Sequence, residues 1–96
     1  MIKHIVLFKL KNPDEANIAA AKEKLMSMQN RVEEIMDIEV GVDFLHSERS
    51  YDIALIVLLK DRDALNAYQT NPYHCGEVRV YMRSVAASSV TADYDI

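Results

Sequence analysis

The sequence predicts an α+β sandwich in which two strand–helix–strand units share one four-stranded sheet. Three observations predict it. Two apolar stretches of strand length, Ile2 to Leu10 and Tyr51 to Leu59, lie about fifty residues apart, and each is followed by a helical pattern. The two units meet at a short polar turn, Ser47 to Ser50. The first helical pattern carries one apolar stripe, as a helix covering a single sheet face requires.

In chain order, Ile2, His4, Val6, Phe8 and Leu10 share one face of the first strand, with Ile5 and Leu7 on the other. Asn12-Pro13-Asp14 ends this strand and opens a helix, with Asn12 as the expected cap and Pro13 at the first helical position. Ile18, Ala21, Leu25, Met28, Val32 and Ile35 then recur at steps of three and four, opposite Lys22, Glu23, Lys24, Arg31, Glu33 and Glu34. Residues 38–46 alternate Val40, Val42 and Phe44 against Gly41 and Asp43, a second strand. The stretch from Tyr51 to Leu59 is apolar on both sides, which suits a strand covered on both faces. Asp61 opens a helix that Asn71-Pro72 stops. A second helical piece starts at Pro72 with Val78, Tyr81 and Met82 inward, and Val85 to Tyr94 closes the chain as a small-residue strand.

The order is strand, helix, strand, strand, broken helix, strand, which describes a ferredoxin-like βαββαβ sandwich with an antiparallel sheet. Helices cover one face of such a sheet, yet the first and third strands are apolar on both. The uncovered face therefore calls for a second copy packed sheet to sheet, a homodimer forming an α/β barrel. Ninety-six residues make one expected domain, residues 1–96.

Composition narrows the function. Eleven Lys and Arg against fifteen Asp and Glu give a formal charge of −4, which argues against nucleic acid or an anionic membrane as partner. Cys75 is the one cysteine and has no internal disulfide partner. The N-terminal apolar run is broken by Lys9 and Lys11 and lacks a cleavage-site pattern, so a cytoplasmic location is expected. No Gly-rich phosphate loop, GxSxG, CxxC or HExxH is present, and no cofactor or metal is expected.

A site in this chain must be assembled from single residues on different elements. His4 stands on an apolar face, either as a core histidine bonded to a backbone carbonyl or as an imidazole at the floor of a pocket. Tyr68 and His74 flank the Asn71-Pro72 break, where a broken helix opens space beneath it. They are either core packing or a minimal acid–base pair, the imidazole taking a proton and the phenol donating to a carbonyl oxygen. A lone cysteine without a ligand set reads as inert, the methionines Met26, Met28 and Met36 read as core filler, and Glu77, Arg79 and Arg83 read as a solvated helix face.

The opening KHIVLFKLK (Lys3 to Lys11), the GVD of Gly41 to Asp43, the YDIAL of Tyr51 to Leu55, the DALNAYQTNPYH of Asp63 to His74 and the closing ADYD of Ala92 to Asp95 together resemble the stress-responsive α/β-barrel (Dabb) family. The resemblance spans nearly the whole chain and implies a ferredoxin-like fold and a barrel-forming dimer. Polyketide cyclases of this family carry a tyrosine and a histidine on the second helix and a histidine on the first strand, at positions matching Tyr68, His74 and His4. The resemblance thus implies a catalytic trio of His74, Tyr68 and His4. Two features depart from the cyclases: their tryptophan- and phenylalanine-bearing segment reads VYMRSVAASSV here, Val80 to Val90, and the histidine many relatives carry before the proline is Asn71.

The expected protein is a homodimer with a small apolar pocket for a carbonyl-containing molecule and cofactor-independent acid–base chemistry of cyclase, lyase or isomerase type. The alternatives are a non-catalytic, stress-associated binding protein and a cofactor-free monooxygenase, the latter by fold analogy.

Overall fold

The computed structural model describes residues 1–96. The chain runs β1 (Ile2–Leu10), α1 (Glu15–Met26), a 3-10 turn (Ser27–Asn30), β2 (Ile35–Val42), β3 (Ile53–Leu59), α2 (Arg62–Thr70), a π-helical turn (His74–Val78), α3 (Arg79–Val85) and β4 (Ala86–Asp95). The sheet order is β2-β3-β1-β4, and every neighbouring pair is antiparallel. This is the ferredoxin-like βαββαβ arrangement expected from the sequence.

The parity of β1 is as the sequence predicts. Ile2, His4, Val6 and Leu10 are buried beneath the helices, and Ile53, Leu55, Val57 and Leu59 of β3 bury beside them. The α1 stripe supplies Ala21, Leu25 and Met28, and Val32 follows it into the same core. On the other side of the sheet, Ile5 and Leu7 pair with Ile56, Ala54, Ala92 and Val90. That face has no helix over it.

Three boundaries differ from the sequence reading. The α1 cap is Asp14, not Asn12: the Asp14 carboxylate accepts the Asn17 amide at 2.8 Å, so Pro13 precedes the helix. The helix then tightens after Met26, so Val32 and Ile35 reach the core from a turn and the start of β2. β2 consequently lies earlier than residues 38–46. Phe44 is 89% exposed in the loop beyond it, because Asp43 turns the chain by accepting the His46 amide through its carboxylate. β3 begins at Ile53, and the Asp52 carboxylate just before it accepts the Leu10 amide at 2.8 Å.

Candidate functional site

The second half of the chain builds the site through its interrupted helix. Asp61 caps α2 by accepting the Ala64 amide at 2.8 Å. α2 stops at Thr70 because Pro72 drives the preceding Asn71 into extended backbone, φ −58° and ψ 132°. Asn71 then restarts the helix. Its Oδ1 accepts the amides of Tyr73 (2.9 Å) and His74 (3.2 Å), and its carbonyl accepts the Cys75 amide (2.9 Å). Residue 71 therefore fixes the backbone from which His74 projects. The turn that follows is π-helical, an irregularity that recurs at functional sites.

Between this interrupted helix, α1 and the sheet lies a cavity of about 310 Å³. Leu25, Met28, Leu55, Val78 and Met82 make its apolar walls, and it contains His4, Tyr68 and His74. The three rings stand in a row. Tyr68 and His74 have centroids 4.4 Å apart at a 40° tilt, and Tyr68 meets His4 edge-on at 5.3 Å and 64°. The three residues singled out in the sequence are thus neighbours, although β1 and the π turn are some seventy residues apart.

Each ring has a distinct hydrogen-bonding state. His4 is buried, and its Nδ1 bonds to the Asp93 carboxylate from β4. An ionised carboxylate only accepts, so this nitrogen carries the proton. Tyr68 is fully buried at the cavity floor, and its hydroxyl meets only the soft sulfur of Met28, at 3.9 Å. Burial raises the Tyr68 pKa, so the phenol stays protonated and able to donate. His74 is half-buried with an Nδ1 that is shielded from solvent and has no hydrogen-bond partner. Burial, reinforced by the nearby Arg79 charge, lowers its pKa to about 4, so the imidazole is neutral at pH 7.

His46 takes no part, lying on the loop after β2 with its side chain beside Asp43. Cys75 turns away to donate its thiol to the Gln69 carbonyl at 2.8 Å. The sequence reading leaves out the part of two arginines in the cavity rim. Glu77 and Arg83 are exposed, as that reading has them, but Arg79 is half-buried, and both arginines border the cavity together with the exposed Ser89 and Thr91 of β4. It also leaves Asp93 unassigned. The signal for Asp93 is register: it pairs directly with His4 across β1 and β4, so both side chains leave the same face.

Fold and site together define an α+β ferredoxin-like protein with a helix-walled, histidine- and tyrosine-bearing cavity. The family model for the stress responsive A/B barrel domain (Dabb) matches residues 2–96, and the chain belongs to that family. It is similar to the uncharacterized protein SCO4036 of Streptomyces coelicolor, 31% identical over 98 residues and 99% of each chain. A dimeric protein of unknown function and ferredoxin-like fold from Bacteroides fragilis superposes with TM-score 0.82 at 27% identity, over 99% of this chain and 95% of that one. The hydroxynitrile lyase of Passiflora edulis shares the fold, with TM-score 0.80 at 18% identity over 99% and 92% of the two chains. No helix is long and apolar enough to cross a membrane.

Proposed function

We propose that this chain is a single-domain homodimer that binds a small carbonyl compound in the cavity and catalyses cofactor-independent proton transfer on it. The observation that carries the reading is a pair of unmet hydrogen-bonding groups: the orphaned Nδ1 of His74 beside a phenol whose one partner is a thioether. Buried polar groups are ordinarily satisfied, and a bound carbonyl compound would satisfy both. His74, held neutral, accepts a proton from the carbon next to the carbonyl, and the C–H electron pair moves into the carbonyl to give an enolate. As negative charge gathers on the carbonyl oxygen, the Tyr68 hydroxyl exchanges its contact with Met28 for a hydrogen bond to that oxygen. Met28, unbranched and flexible, is suited to give way. His4, steadied by Asp93, backs the Tyr68 ring. The Passiflora relative in fold bears the name of a lyase, which supports chemistry of this class on such a fold.

The dimer rests on the unhelixed sheet face, where Ile5, Leu7, Ile56 and Leu58 are half-buried and Val90 is exposed, and on the dimeric Bacteroides relative. Sedimentation at micromolar protein should show a species of about twice 10.9 kDa.

The test of the chemistry is deuterium uptake from D2O at the carbon beside the carbonyl of small aryl ketones, followed by NMR. Wild type should accelerate the exchange. His74→Gln should lower the acceleration by about a hundredfold or more, the usual weight of a general base. An exchange rate indifferent to His74 and Tyr68 would leave a binding protein in place of an enzyme.

A further inference from the structure

Arg79 and Arg83 stand four residues apart on α3, on the same helix face, and both line the cavity. Neither has an acidic partner. The salt bridges of the molecule are His4 with Asp93, Lys24 with Glu77, His46 with Asp43 and Arg62 with Asp95. Glu77, the nearest acid along the helical run, is thus engaged by Lys24. Arg79 reaches only the Gln69 carbonyl, at 3.5 Å, and Arg83 makes no hydrogen bond. Like charges at this helical spacing repel, so the arrangement is unfavourable while nothing negative lies between them. Facing them from β4 are Ser89 and Thr91, whose hydroxyls also have no protein partner. In a chain of net charge −4, two guanidiniums without an acidic partner and two hydroxyls without a protein partner therefore meet at the solvent-facing rim of the cavity, opposite its apolar walls of Leu25, Met28 and Leu55.

We infer that this rim is a carboxylate subsite, so that the cavity takes an anionic oxo acid with its carboxylate between Arg79, Arg83, Ser89 and Thr91. The inference rests on the cavity being the ligand site proposed above, and it names the class of molecule that enters. Guanidinium donors match the two oxygens of a carboxylate, and the hydroxyls supply the remaining bonds. The carbonyl of such a molecule extends into the apolar part of the cavity toward Tyr68 and His74. A neutral ketone would fill that part and leave the arginines unpaired.

Binding of two stable aryl oxo acids tests this: phenylglyoxylate and 4-oxo-4-phenylbutanoate, which place the carboxylate one and three bonds from the ketone carbon. Each is compared with its methyl ester, binding being read from histidine ring NMR shifts during titration. At least one acid should bind wild type about tenfold more tightly than its ester, and added salt should narrow the gap. In Arg79→Gln/Arg83→Gln the gap should close through weaker acid binding, with ester affinity retained and the fold checked by thermal melting. Equal binding of acid and ester to wild type overturns the subsite and leaves the cavity reading standing. A preference that survives in the double variant overturns it as well. Binding of neither acid nor ester removes the cavity as a ligand site, and the subsite with it.

Discussion

α1 and the α2–α3 pair occupy equivalent places over the sheet, one in each strand–helix–strand unit, and they spend their sequence differently. α1 runs unbroken from Glu15 to Met26 and puts Ala21 and Leu25 into the core, with no titratable group among its buried residues. The second unit breaks at Asn71, passes through a π turn, and buries Tyr68, Val78 and Met82 around a cavity. α1 gives the cavity only an apolar wall, through Leu25. The interrupted helix leaves backbone to be capped, space to be filled, and polar side chains facing that space. The first unit closes the core and lends the cavity one polar group, His4 of β1, and the second holds Tyr68, His74 and Asp93.

The largest effect that would break this comparison belongs to α1. Leu25 is 1% exposed, at the meeting point of α1 and the sheet. Leu25→Asp buries an unpaired charge and should abolish the cooperative melt, and Leu25→Ala should cost about 2–5 kcal/mol. Lys22→Gln, on the exposed side of the same helix, should stay within about 0.5 kcal/mol. Chemical denaturation of the three variants measures this, and equal costs at positions 22 and 25 would mean that α1 does not seal the core.

The next effect belongs to the site. Asp93→Ala removes the partner of a buried histidine and should cost about 1–3 kcal/mol, the penalty of an unsatisfied buried group. Asp93→Asn keeps an acceptor for His4 Nδ1 and should cost less. A parallel loss of exchange activity in Asp93→Ala with retained His74 would mark Asp93 as a positioning residue acting through His4. Denaturant titration of both variants separates lost folding from lost activity.

These residues also show where sequence reasoning succeeds and stops. The parity of β1, the α1 stripe and the Asn71-Pro72 break are local patterns with periods of two or about 3.6, and each holds in the structure. The trio His4, Tyr68 and His74 was legible because an apolar strand interrupted by a histidine and a helix interrupted by a proline are both anomalies. The pairing of His4 with Asp93 spans 89 residues and depends on the β1–β4 register, which no local pattern specifies. The half-burial of Arg79 at the cavity follows the π turn, whose altered winding shifts the helical phase assumed for residues 74–85. The displaced start of β2 has a similar origin: the 3-10 turn uses Met28 and Val32 to continue an apolar stripe after the α-helix has ended.

A smaller effect is expected at Asn71. Asn71→Ala deletes the acceptor of the Tyr73 and His74 amides, a cap-like loss of about 1 kcal/mol. Hydrogen exchange should quicken at those two amides more than in α1, because the loss is confined to the restart of the broken helix. Asn71→Asp, which keeps the oxygen, should restore protection. If protection at residues 73 and 74 is unchanged in Asn71→Ala, the π turn is held by its packing and not by this side chain.

The smallest and most specific effect is the titration of His74. Burial comes first and the charge of Arg79 second among the causes that hold its pKa near 4, while Tyr68 is not among them. Tyr68→Phe should therefore leave the His74 titration nearly in place, and Arg79→Gln should move it upward, toward the ordinary value of 6.5. The sign for stability follows. The unfolded chain takes up this proton near 6.5 and the folded chain near 4, so between those values the unfolded state binds more protons. Stability should accordingly fall as pH drops through that window and level off below it. In His74→Gln this part of the slope should disappear. NMR titration of the three histidines, paired with thermal melts from pH 7 to 4, measures both quantities. A wild-type His74 titrating at 6.5 would place its imidazole in solvent and remove the proposed base from the cavity.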